Sequence, residues 1–303
     1  MNLRKVILAG LPETGKTTYL AVLYHSIVRN RAGGLSLGAL TDDREHVNEI
    51  SARLGARESA DRTHSDDEKD VRLSLTVDEE TFELQVPDLS GETWRDAHYE
   101  RRWPDPLEEL IRDADGFMVF AHSTEVETGL QIVDVAKANE VFGVDDGAVS
   151  DPPLDAGNGN GNGNGNGNDE TDDDDADYEE LPERKQLTQV SVLELIQHFA
   201  ARARRPIRVS VVISAWDHLV KHSTPDGWID ENAQLLRQFL DANPDEVEVR
   251  AFGVSAQGYD YENEKEHEEN RGKDLTDLAK VWLSDGSEAG IAAPLRWVLR
   301  LDQ

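Results

Sequence analysis

Gly10-Leu11-Pro12-Glu13-Thr14-Gly15-Lys16-Thr17 follows directly on the apolar run Val6-Ile7-Leu8-Ala9, and that placement decides the fold. The eight residues fit G-x-x-x-x-G-K-[ST], a loop that leaves a strand, turns on its glycines and aims a helix N-terminus at a polyphosphate. The helix is expected next, because Leu20, Leu23, Tyr24, Ile27 and Val28 recur at helical spacing between Thr17 and Arg29. Gly10 and Gly15 permit the tight backbone path. The amides of Glu13, Thr14, Gly15, Lys16, Thr17 and Thr18 can then face phosphate oxygens. Lys16 would bridge the β- and γ-phosphates, and the Thr17 hydroxyl would bind Mg²⁺. A glycine–threonine turn could match the pattern by chance, but a strand before it and a helix after it argue for nucleoside triphosphate binding.

Composition narrows the partners. The 303 residues include 62 acidic and 31 basic ones, a net charge of −31, and could hold one large α/β domain or two small ones. Thirteen of the acids fall in residues 145–180, which contain no Lys or Arg, and the remainder is still acidic. Such a field repels nucleic-acid phosphate and anionic lipid head groups, so neither is an expected partner. Arg outnumbers Lys 22 to 9. An acidic surface poor in Lys suits a halophilic source with a high-salt cytoplasm; a single acidic insertion on an ordinary acidic protein gives the same totals. The absence of cysteine excludes disulfides and thiolate metal sites. The first apolar stretch runs straight into the phosphate loop and does not read as a signal peptide, and no apolar run approaches the roughly 18 residues of a membrane span. A cytoplasmic location is expected.

Along the chain, Val71–Val77 and Phe82–Val86 read as a hairpin turning at Asp78-Glu79-Glu80-Thr81. Phe117–Phe120 and Val209–Ile213 are continuous apolar runs, as in strands buried on both faces, and Val247–Val254 is a further strand. Helical patterns cover Leu107–Arg112, Gln189–Arg202, Asn232–Asp241, Leu275–Leu283 and Ala292–Leu299, with Gly258–Lys273 read as a polar loop. The alternation predicts an α/β fold: a mostly parallel sheet with one antiparallel edge strand and helices on both faces. Residues 145–186, with Asn-Gly repeats and the run Asp172–Asp175, have almost no apolar surface to bury. They read as a disordered insertion within one domain spanning residues 1–303.

Three further elements each follow an expected strand. Leu84-Gln85-Val86-Pro87-Asp88-Leu89-Ser90-Gly91-Glu92 ends in Asp-x-x-Gly, where Asp88 would hold Mg²⁺ and the Gly91 amide would read the γ-phosphate. Ser214-Ala215-Trp216-Asp217 keeps the Asp of a base-reading Asn/Thr-Lys-x-Asp element, or else Asp217 is a helix cap. Gly253-Val254-Ser255-Ala256 matches the Ser-Ala element whose amide approaches guanine O6. In this order, with Tyr19-Leu20 after the loop, Arg62-Thr63 and Trp94, the chain resembles P-loop GTPases of the translation-factor-related class. More narrowly it is similar to the prokaryotic double-GTPase group of multi-gene conflict (antiphage) systems, over residues 4 to about 300 apart from the insertion. The resemblance implies a GTP- and GDP-binding regulatory switch with Mg²⁺ and with protein effectors or co-encoded components as partners. Nucleotide-dependent homodimerisation stays open. Ala215 departs from the Lys whose stem stacks on the base, which leaves ATP as an alternative to GTP.

A switch threonine is expected between the loop helix and the hairpin. Thr63 is the choice; its rival Thr41 reads better as the cap of a helix over Asp42–Leu54. With Lys16 and Thr63, Glu92 completes the candidate catalytic set. It stands where many relatives carry a water-placing Gln, so a slow hydrolase, or a scaffold that barely hydrolyses, is implied. Glu92 as a helix-start acid is the structural alternative. Arg62 could serve as a finger in cis, and Arg95, Arg101 and Arg102 could dock a partner or pair with the surplus acids.

Overall fold

The run Val6–Ala9 is buried on both faces, and β1 (Arg4–Ala9) accordingly lies inside a sheet. The structure is a computed structural model that describes residues 3–38, 44–56, 71–78, 80–87, 92–124, 188–219, 224–261 and 263–301. Thr41, Arg62, Thr63, Asp88, Gly91 and the expected insertion at 145–186 lie outside the described residues, as does the Glu92 side chain. The described residues gather into one compact unit.

After β1 come α1 (Lys16–Val28), β2 (Ser36–Leu37), α2 (Arg44–Gly55), β3 (Val71–Val77) and β4 (Glu80–Val86). Then α3 (Glu92–Glu100) and α4 (Asp105–Asp113) lead to β5 (Gly116–His122), and α5 (Thr188–Arg202) leads to β6 (Ile207–Ser214). Helices α6 (Pro225–Asn232) and α7 (Gln234–Ala242) precede β7 (Val247–Ser255). Last come α8 (Glu264–Asn270), α9 (Leu275–Leu278), β8 (Lys280–Trp282), β9 (Glu288–Ala289) and α10 (Ala293–Val298).

Among the described residues the sheet runs β2-β3-β4-β1-β5-β6-β7-β8-β9. The five strands β4, β1, β5, β6 and β7 are mutually parallel, with Val6 opposite Leu84 on one side and Gly116 on the other. Because side chains alternate along a strand, each central strand feeds two cores. Val6, Leu8, Met118, Phe120, Val212 and Phe252 pack with α1, α9 and α10. Ile7, Ala9, Phe117, Val119, Val209 and Val211 pack on the other face with α3 to α7. Loops leaving the carboxyl ends of β1, β5, β6 and β7 therefore share one edge of the sheet, where open α/β sheets bind ligands.

The α/β class and parallel centre are as the sequence indicates, while several boundaries differ. Antiparallel pairing is more extensive than the single edge strand expected: β2 and β3 flank β4, and β8 and β9 flank β7. The expected helix Leu275–Leu283 stops at Leu278, and β8 pairs with the otherwise open edge of β7, burying Val281. An unpaired sheet edge offers this short segment more hydrogen bonds than another helical turn would. The polar loop at Gly258–Lys273 contains α8, capped by the Asn263 side chain and carrying Glu264 and Glu266 in its first turn. The pattern at Asn232–Asp241 belongs to two helices that break at Ala233. The hairpin is tighter than read, since Val77 pairs with Glu80 and Asp78 takes a positive φ of 46° to turn the chain.

Candidate nucleotide-binding site

The phosphate loop is built by backbone more than by side chains. Gly15 caps α1 at φ 83°, and no side chain caps the first-turn amides. A Cβ at Gly15 would stand 3.0 Å from the Ser214 Cβ, so the loop rests directly on the end of β6. Thr14 Oγ1 donates to Leu11 O at 2.8 Å, closing the loop on itself. Lys16 is only 3% exposed, and its ammonium donates to Gly10 O at 2.9 Å and to Leu11 O at 2.8 Å. A buried cation held by carbonyls at a helix N-terminus is a ready counter-charge for an anion. Behind it Tyr19 packs edge-on against Phe120 and donates its hydroxyl to Ile291 O at 3.1 Å. Burial pushes the Tyr19 phenol far above its usual range, so it stays a neutral donor.

The loops after β5, β6 and β7 are tied to this frame. Ser123 N donates to Ser214 O at 3.1 Å and Ser123 Oγ to Ala215 O at 2.6 Å, joining the ends of β5 and β6. Ala215 takes a left-handed conformation (φ 50°) that starts the single 3₁₀ turn Trp216–His218. Trp216 is buried against β7 at Gly253, so its indole belongs to the core and is not a stacking platform for a base. The turn thereby fixes Asp217, whose carboxylate lies 3.6 Å from His218 Nε2. After β7, the buried Ser255 accepts the Gly258 amide on its Oγ at 3.1 Å, fixing the turn that presents Ala256 and Gln257.

Between these loops is a cavity of about 190 Å³. Of the candidate residues, Glu13, Gly15, Thr18, Ser214, Asp217 and Ala256 line it, although more than 190 residues separate the first group from the second. Gly10, Thr14, Lys16 and Thr17 sit in the adjoining loop and first helical turn. His122, His218 and Gln257 also line the cavity and escaped the sequence reading. His122 ends β5, and its place at the carboxyl end of a central parallel strand was the signal available.

Two switch candidates adjoin described segments. Glu92 is the first residue of α3. Pro87, immediately before Asp88, accepts a hydrogen bond at 3.2 Å from the indole of the fully buried Trp94, which packs edge-on against Trp103 and Phe199. The end of β4 is thus anchored to the core under α5. Of the arginines near Trp94, Arg101 pairs with Glu194 at 3.0 Å and Arg95 with Asp96 at 3.1 Å.

Among the described residues no helix is long and apolar enough to cross a membrane. A comparison with curated proteins finds no match. Among solved structures, the Arl6 BBS3 small GTPase from Trypanosoma brucei with bound nucleotide analogue GppNp aligns over 99% of this chain and 97% of its own. Identity there is 8% and the TM-score 0.40, a likeness too slight to carry an argument. The sequence model of the family described as Double-GTPase 1 matches residues 7–298. With the match spanning the phosphate loop, the base-side loops and nearly all of the sheet between them, the chain belongs to the Double-GTPase 1 family.

Proposed function

We propose that this chain is a GTP-binding switch that hydrolyses GTP slowly and regulates protein partners within a multi-component, antiphage-type system in the cytoplasm. The observation that supports this most is the cavity in which Gly15 and Thr18 of the phosphate loop meet Asp217 and Ala256 of the base-side loops. In this reading the α1 amides and Lys16 hold the phosphates, and Asp217 accepts from the two guanine donors. The Ala256 amide approaches the guanine carbonyl, and Ser214 supports the ring.

The residues suit Mg²⁺. Thr17 is the second residue of α1 beyond the end of β1, and Asp88 follows the end of the adjacent, parallel β4, where Ile7 pairs with Gln85. A hydroxyl and a carboxylate are hard oxygen donors of the kind Mg²⁺ takes, with Thr63 as the switch donor. The bound ion would neutralise charge on the phosphates. Glu92 would orient the attacking water while adding negative charge beside the γ-phosphate, hence slow turnover.

Displacement of a fluorescent GTP analogue by GTP and by ATP tests the reading. GTP is expected to displace at least tenfold better than ATP, and Lys16→Ala to weaken GTP by at least tenfold, about 1.4 kcal/mol. Equal displacement by ATP removes the guanine assignment, and unchanged affinity in Lys16→Ala removes the phosphate-loop assignment. In single-turnover hydrolysis Glu92→Ala should slow the reaction about 10²-fold at unchanged GTP affinity. An unaltered rate would make Glu92 a helix-start acid only.

A further inference from the structure

A second polar cavity, of about 480 Å³, lies at the opposite end of α1 and shares no lining residue with the nucleotide cavity. His25 is in the last turn of α1, nine residues beyond Lys16, or about 14 Å along the helix axis. The walls come from three places: His25 and Arg29 from the end of α1, Ser51 from α2, and Lys273 and Asp274 from the loop ahead of α9.

The charge on these walls runs against that of the chain. Three basic side chains face a single carboxylate, in a protein with twice as many acids as bases. That carboxylate is engaged within the fold. Asp274 accepts from Thr276 N at 2.9 Å and Thr276 Oγ1 at 2.8 Å, pairs with Arg29 at 2.5 Å and stands 3.9 Å from His25 Nε2. These contacts, led by the Thr276 amide, hold its carboxyl below the usual range, so it stays ionised. On the other side of the His25 ring, Nδ1 lies 3.3 Å from the Ser51 hydroxyl, and Ser51 is 4% exposed. The imidazole is thus held between α2 and the Asp274 loop, and it lines the cavity together with Arg29 and with Lys273, whose ammonium donates to Asn270 Oδ1 at 2.7 Å. A planar donor fork, a point cation, an imidazole and a hydroxyl around one polar cavity form a donor set suited to phosphate oxygens. The volume exceeds that of a bare phosphate ion and leaves room for an organic body.

We propose that this cavity binds a phosphate-bearing small molecule, held by Arg29, Lys273 and His25 with Ser51 on the α2 side. An occupant would tie α2 to α1 and to the loop ahead of α9. Residues 57–70, which carry Thr63, follow α2 in the chain, so occupancy would bear on nucleotide exchange; that consequence rests on the GTP-switch reading, whereas the site itself does not.

The test is calorimetric titration of inorganic phosphate and of 5′-AMP into the full chain carrying Lys16→Ala, which disables the phosphate loop. Binding is expected to persist in Lys16→Ala and to weaken at least tenfold when Arg29→Gln and Lys273→Gln are added. Both replaced side chains are on the surface, and a thermal melt checks that the variant is folded. Tighter binding of 5′-AMP than of phosphate identifies an organic phosphate as the occupant; equal binding identifies the free ion. Either outcome supports the site. Three results overturn it: no binding of either probe, binding unchanged by the double substitution, or equal binding of sulfate and chloride, which means an adventitious ion only. Should the GTP reading fail instead, Lys16→Ala leaves GTP affinity unchanged, while the weakening of phosphate binding by Arg29→Gln and Lys273→Gln remains.

Discussion

Gly253→Ala is the sharpest test of how the base-side loop is held. A Cβ at Gly253 would stand 2.3 Å from Trp216 Cδ2 and 2.6 Å from Cε2 and Cε3, where ordinary contact begins at 3.4 Å. The indole must therefore withdraw by about 1 Å to clear the new methyl group. It is 7% exposed and packed among residues of the β6–β7 core, so it cannot withdraw without disturbing them. Overpacking of this kind costs about 1–3 kcal/mol. Asp217 is the next residue in the same 3₁₀ turn and moves with the ring. Since a shift of about 1 Å in a positioned group can cost on the order of 10²-fold, GTP affinity should fall at least tenfold. The assay pairs thermal melts with GTP displacement for Gly253→Ala, Trp216→Leu and the double variant. Leucine makes room for the methyl group, so the double variant should be more stable than the two single effects predict, by at least about 0.5 kcal/mol. Strict additivity, or wild-type GTP affinity in Gly253→Ala, would refute the argument that Trp216 against β7 sets Asp217.

Asp217→Asn should weaken GTP relative to xanthosine triphosphate, whose base presents a carbonyl where guanine has its amino group; an unchanged preference in competition binding makes Asp217 a turn residue only. Trp94→Phe removes the indole hydrogen bond to Pro87 but keeps a ring in the cluster, at a stability cost of about 1 kcal/mol. Because Pro87 precedes Asp88, the Mg²⁺ concentration needed to retain GTP should rise several-fold, and a lowered Tm with unaltered Mg²⁺ dependence would confine Trp94 to packing. Glu248→Ala leaves the Arg208 guanidinium, 6% exposed, held by the Trp297 carbonyl and ring. Removing one partner of a buried pair costs about 3–5 kcal/mol, reduced here to about 1–3 because Glu248 is 44% exposed. Hydrogen bonds from Arg208 hold the Glu248 carboxyl below its usual 4.5. Its ionised form therefore stabilises the fold above pH 4.5, and that contribution is lost as pH falls through the depressed value. Tm should drop more steeply below pH 4.5 in the wild type than in Glu248→Ala, and parallel curves would deny the linkage.

The parts of this protein legible in its sequence are those set by near neighbours in the chain. The apolar run into Gly10–Thr17 and the helical spacing after it are local, and β1, the loop and α1 form where that pattern puts them. The buried runs at Phe117–Phe120 and Val209–Ile213 identify central parallel strands for the same reason, and parallel order alone brings their carboxyl ends to one edge. Where pairing partners are distant, local pattern misleads. Val281 fits a helical repeat, yet it lies in β8 because β7 presents an open edge some thirty residues earlier. His122, His218 and Gln257 carry no motif, and only the approach of three loops makes them neighbours of the phosphate loop. Trp216 reads as a free position of its motif, and only contact with Gly253 makes it the support of Asp217. Local spacing encodes the elements through short-range sterics and hydrogen bonding. The walls of both cavities are decided by contacts between segments hundreds of residues apart, which only the packed fold brings within reach.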